Sequence, residues 1–163
     1  MGNGYTNGNE NIYFRARKQA ANSNEKLYSR RGAAELLGVS VSTLADYELG
    51  ITKVVPVDKV VLMADLYGCP EFKNGYCKHV CPIGKNMPLA TEVSGVEGVV
   101  LRFIKEFDST KISEIIKSFV KIASNGVITD DEKPELEEII KKLDELAIVI
   151  SEAKLVGEKA LKG

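Results

Sequence analysis

From Ala33 to Glu48 the chain reads Ala-Ala-Glu-Leu-Leu-Gly-Val-Ser-Val-Ser-Thr-Leu-Ala-Asp-Tyr-Glu, and this stretch restricts the fold more tightly than any other. It has the form of helix, tight turn, helix. Ala33, Leu36 and Leu37 lay an apolar stripe along a first short helix. Gly38 tolerates the positive φ that reverses the chain, and Ser40 is a good N-cap for the helix that follows. With Val39 and Leu44 turned toward the first helix, the second projects Val41, Ser42, Thr43 and Asp46 outward, where the major groove of a duplex could receive them.

Ala34 to Gly38, Val39-Ser40, Leu44, Tyr47-Glu48 and Gly50 together resemble the phage-repressor type of helix-turn-helix, the XRE group. The likeness runs from about Asn9 to Phe72 and includes Pro56 and the apolar helix after it. It implies an all-α chain with an N-terminal lambda-repressor-like domain, double-stranded DNA as partner, and Ser40, Val41, Ser42, Thr43 and Asp46 on the reading helix. Arg30 matches a position where the family carries a polar donor for phosphate, a task that suits a guanidinium fork. Lys53 and Arg15 are further phosphate candidates. The chain departs from the family pattern at Val41 and Asp46, where basic or amide side chains are common. Glu48 is read as internal, bonded to backbone or to Arg31.

The charge distribution bears on how such a domain would hold DNA. The formal net charge is −1, so no global field draws the chain to nucleic acid. Residues 1–60 carry eight Lys/Arg against six Asp/Glu, and residues 89–163 carry eleven against fifteen. A recognition helix without a basic residue neutralises few phosphates, and weak half-sites are rescued when two copies are linked. A homodimer through the C-terminal helices is therefore expected. No apolar run approaches the roughly 20 residues that span a bilayer, and no signal-peptide form is present, so a cytoplasmic protein without membrane contact is expected.

Residues 1–9, rich in Gly and Asn, are expected to be a disordered tail. A helix then starts near Asn11, with Arg15, Arg17 and Lys18 outward. Residues 10–72 form the DNA-binding domain and residues 73–88 a connector. Every cysteine and the single histidine fall between Cys69 and Cys81. The segment suits a packed turn with small buried thiols. Cys69, Cys77, His79 and Cys81 could alternatively supply a tetrahedral zinc, although Cys-x-His-x-Cys lacks the usual knuckle spacing. No cofactor is otherwise expected.

Beyond Met87-Pro88, two stripes read as a helical hairpin: Val93, Val96, Val99, Val100, Phe103, Ile104 and Phe107, then Ile112, Ile115, Ile116, Phe119, Val120 and Ala123. Ser109 is the expected cap of the second. A third helix of about 25 residues follows from Glu135, with Leu136, Ile139, Ile140, Leu143, Leu146 and Ile150 inward. Residues 89–163 are thus a helical hairpin or bundle and the expected dimerisation domain. No catalytic constellation is present: His79 has no evident Ser or Asp partner, and no glycine-rich phosphate loop occurs. The expected function is sequence-specific transcription regulation of phage or mobile-element type. A protein-binding helix-turn-helix module, or a metal- or redox-responsive regulator through the cysteine segment, are the alternatives.

Overall fold

The computed structural model describes residues 11–162. The tail expected over residues 1–9 lies outside them. Among the described residues there are eight α-helices and no strand. The chain divides into two compact units at Met87-Pro88.

In the first unit, α1 (Ile12–Ala20) begins at Asn11, whose side-chain oxygen accepts from the Tyr13 and Phe14 amides. A short 3-10 turn (Glu25–Tyr28) leads to α2 (Arg30–Leu37), capped by Ser29, whose hydroxyl accepts from the Gly32 amide. Gly38 ends α2 in the left-handed region at φ 61°, and α3 (Val41–Glu48) starts at Ser40. Then α4 (Val57–Leu66) is entered through Pro56 at its N-cap.

The first part of the segment expected as a connector is helical. Residues Glu71–His79 form α5, which packs against α4 and contributes Phe72 to the core, edge-on to Tyr13 with ring centroids 5.3 Å apart. Leu27, Ala33, Leu37, Leu44, Val60 and Met63 fill the centre of that core. Burial of a side chain such as Leu44 stabilises by about 1.5–3 kcal/mol. Leu36, expected inside, is exposed, and Val39 is only half-buried. The stripe that α2 buries is Ala33, Ala34 and Leu37, which leaves Leu36 on the helix flank. Val57 and Val61 of α4 are likewise outside, the inward positions being Val60, Met63 and Ala64.

The second unit holds α6 (Val96–Glu106), α7 (Ser109–Ala123) and α8 (Lys133–Lys162). Asp108, not Ser109, caps α7, accepting from the Thr110 and Lys111 amides. A carboxylate there also meets the positive end of the helix dipole. The cluster that the structure shows in this unit joins α7 to α8: Ile115 and Ile122 share it with Ile139, Leu136 and Leu146. At 30 residues α8 is longer than expected. Its buried positions are Ile139, Val149, Glu152 and Leu155, while Ile140, Leu143 and Ile150 stay exposed.

Candidate nucleic-acid interface

Three local devices set the geometry of the α2–turn–α3 unit. Gly32 lies against the Lys26 carbonyl, and a Cβ there would sit 2.2 Å from that oxygen, so only glycine lets α2 start where it does. Gly38 makes the reversal, and the Val39 amide donates back to the Ala34 carbonyl at 3.0 Å. Lys59 reaches from α4 to the Leu37 carbonyl at 3.1 Å, capping the end of α2 with a cation.

Helix α3 has two chemically distinct sides. Inward it presents Leu44, Tyr47 and Glu48, all buried. Outward it presents Val41 and Ser42 to solvent, with Thr43 and Asp46 half-exposed beside them. The hydroxyls of Ser40, Ser42 and Thr43 form one cluster: Ser40 Oγ lies 2.8 Å from Ser42 Oγ and 2.7 Å from Thr43 Oγ1, and it also accepts from the Thr43 amide at 3.0 Å. Ser40 is thereby committed to the cap. Ser42, Thr43 and the methyls of Val41 remain to face a groove.

The inner side is locked by an ion triad. Glu48 has no exposed side-chain surface. Arg17 donates from Nε to Glu48 Oε1 at 2.5 Å and from Nη2 to Oε2 at 2.9 Å, a two-pronged pair. Arg30 adds Nε to Oε2 at 2.7 Å. Arg17 Nη1 also donates to the carbonyls of Leu27 and Tyr28, so its fork ties α1, the 3-10 turn and α3 together. Asn11 adds a fourth tie, donating from Nδ2 to the Tyr47 carbonyl at 3.0 Å.

Two expectations are corrected here. Arg17 is buried, not outward, and the partners of Glu48 are Arg17 and Arg30, not Arg31. Arg30, expected on phosphate, spends its Nε on Glu48 and remains about a third exposed. Its guanidinium therefore cannot swing freely. Arg15, Arg31 and Lys53 are exposed. Arg17 reads as an outward residue in the sequence because a charged side chain on an amphipathic helix is ordinarily solvated. The signal that could have found it is pairing with Glu48, a carboxylate on the helix's apolar side.

A comparison with family models matches residues 12–71 to the description "Helix-turn-helix domain". Residues 12–71 are a helix-turn-helix domain of the type found in XRE-like regulators. Comparison with curated proteins and with solved structures finds no match. The domain's match ends where α5 begins, so α5 is packed on the helix-turn-helix core from outside the matched segment.

The cysteine segment does not assemble a ligand set. Among the described residues no three His, Cys, Asp or Glu side chains converge in a way that could hold a metal ion, so Cys69, Cys77, His79 and Cys81 are not brought together. Cys69 is buried and its thiol donates to the Tyr67 carbonyl at 3.6 Å. The Cys-Pro-Ile-Gly loop folds back so closely that a Cβ on Gly84 would stand 2.4 Å from the Cys77 carbonyl.

Near the triad, the Tyr67 hydroxyl is buried and takes no hydrogen bond among the described residues. Burial, reinforced by the Glu48 carboxylate, holds its ionisation well above the ordinary tyrosine range. The fold therefore favours the neutral phenol. That contribution is complete at neutral pH and is lost as the pH rises past the ordinary value of about 10. Tyr67→Phe should remove this alkaline sensitivity and raise stability by about 1 kcal/mol, since an unsatisfied buried hydroxyl is deleted. Thermal melts of both proteins at about pH 8 and about pH 11 check it.

Proposed function

We propose that this protein is a sequence-specific DNA-binding transcription regulator of phage or mobile-element type, working in the cytoplasm as a homodimer joined through its C-terminal helices. The observation that carries the reading is the split of α3: Leu44, Tyr47 and Glu48 anchor the helix, leaving Val41, Ser42 and Thr43 on its exposed N-terminal end. Recognition helices meet base edges with that end. Valine methyls suit a thymine methyl, and hydroxyls bond to either bases or phosphates. Arg15, Arg30 and Lys53 supply phosphate contacts, and Arg31 at the start of α2 joins them. Asp46 sits farther along α3 at the groove's margin.

An acidified recognition helix would instead favour a protein partner. Glu48, however, is sealed inside and outnumbered by two guanidinium groups, so it adds no negative charge to the outer side of α3. The dimer is supported by Val100, Ile104, Ile116, Val120, Ile140 and Ile150 of the second unit, all at least 44% exposed. Large apolar side chains left open on all three helices of this unit are surface that a second copy would cover.

Selection of bound duplexes from a random pool, at moderate and at low salt, tests the reading. A palindromic motif is the expected result, and an enrichment indistinguishable from unselected DNA would refute it. On the selected site, Thr43→Ala should cost about 1–3 kcal/mol and relax preference at one base pair. Lys53→Ala should weaken selected and random DNA alike and lower the salt slope by about one. Gel shifts across a salt series separate the two behaviours.

A further inference from the structure

Between the middle of α8 and the extended stretch before α6, the second unit holds an open cavity of about 340 Å³. That volume falls at the lower end of the range for small-molecule sites, about 300–1,000 Å³. Its walls are built by specific bonds. The Ala90 amide donates to Ser151 Oγ at 3.2 Å, and Ser94 donates to Glu152 Oε1 from its amide at 3.0 Å and its hydroxyl at 2.9 Å. Arg102 of α6 completes the wall, donating from Nη2 to Ser94 Oγ at 2.7 Å and to Glu152 Oε1.

The distribution of those bonds is uneven. Glu152 is 4% exposed, yet all three donors fall on Oε1. Among the described residues none reaches Oε2, and that oxygen is not sealed from the cavity. Arg102 is half-exposed, and its Nε and Nη1 likewise donate to no described residue. The cavity thus offers an anionic acceptor and cationic donors side by side. Leu89, Val93 and Ile148 line it with apolar surface.

We propose that this cavity binds a small zwitterion, an α-amino acid with an apolar side chain. Its ammonium would donate to Glu152 Oε2, its carboxylate would accept from the free edge of Arg102, and its side chain would lie on Leu89, Val93 and Ile148. An amine alone leaves the guanidinium unanswered, and a carboxylic acid alone leaves Oε2 so. Both remaining charge-assisted bonds are made together only by a ligand that carries an ammonium and a carboxylate. The inference is independent of the DNA-binding reading, since every residue it uses belongs to the second unit.

The test is an NMR titration of the full chain with L-leucine, 4-methylpentanoic acid and 3-methylbutylamine. Leucine should produce saturable shifts at the amides of residues 89–94 and at Arg102, with millimolar or tighter affinity, and each single-charge analogue should bind about tenfold or more weakly. Glu152→Gln should lower leucine affinity by a similar factor. Because that carboxylate also holds the wall together, Ile148→Trp provides a second variant: Ile148 is 40% exposed, so a larger ring is tolerated while filling the cavity. It should abolish the shifts with the fold intact. Absence of saturable leucine shifts, equal binding of either analogue, or unchanged binding in Ile148→Trp would overturn the proposal.

Discussion

Glu48→Ala will lower the stability of the first unit by about 3–5 kcal/mol, the cost of leaving a buried charge without its partner. Arg17 is 2% exposed, and two of its nitrogens are spent on Glu48. With the carboxylate gone, its charge stays inside, facing the Leu27 and Tyr28 carbonyls and the Phe14 ring but no counter-charge among the described residues. Most of a small domain's margin would disappear. A urea titration followed through the backbone NMR signals of Leu44 and Tyr47 reports this unit separately from the second. The double variant Glu48→Leu with Arg17→Met should recover much of the loss, because it removes both desolvated charges together. A loss below about 1 kcal/mol for Glu48→Ala, typical of surface pairs, would show the triad to be solvated in solution.

Deleting the chain from Leu89 onward should leave the first unit folded and reduce affinity for the selected operator about a hundredfold or more. The physical reason is charge. Val41 to Glu48 contains no basic residue, and Arg30 is partly consumed by Glu48, so one copy neutralises few phosphates. Two linked copies place the second helix-turn-helix at high effective concentration over a half-site one duplex turn away. Sedimentation should show the full chain as a dimer and the truncated chain as a monomer. A full chain that sediments as a monomer at micromolar concentration, with the truncated form binding equally well, would sink the dimer.

What the sequence made legible follows how far each interaction reaches along the chain. Gly38, Ser40 and the spacing of Ala33, Leu37 and Leu44 act within a few residues of one another, so the turn and both its helices were readable. The triad joins residues 31 and 18 positions apart, and nothing local distinguishes Arg17 from the solvated Arg15 two residues before it. Helix α5 was missed for another reason. Its Asn74, Gly75 and Cys77 are weak helix formers, and packing against α4, not propensity, holds it. In the second unit the heptad-like pattern located α8 correctly, but periodicity does not say which neighbour a stripe meets. Ile140 and Ile150 share the pattern with Ile139 and are nonetheless exposed.

The separation of α3 into an anchored side and an open side also bears on how this domain can evolve. Val41 and Ser42 touch no part of the core, so they can be exchanged at little cost to folding, within about 0.5 kcal/mol for an ordinary surface change. Gly32, held against the Lys26 carbonyl, and Glu48, held by two arginines, have no such latitude. If α3 reads DNA as proposed, a lineage carrying this domain can drift from one target sequence to another through single neutral steps at 41 and 42, without passing through an unstable ancestor.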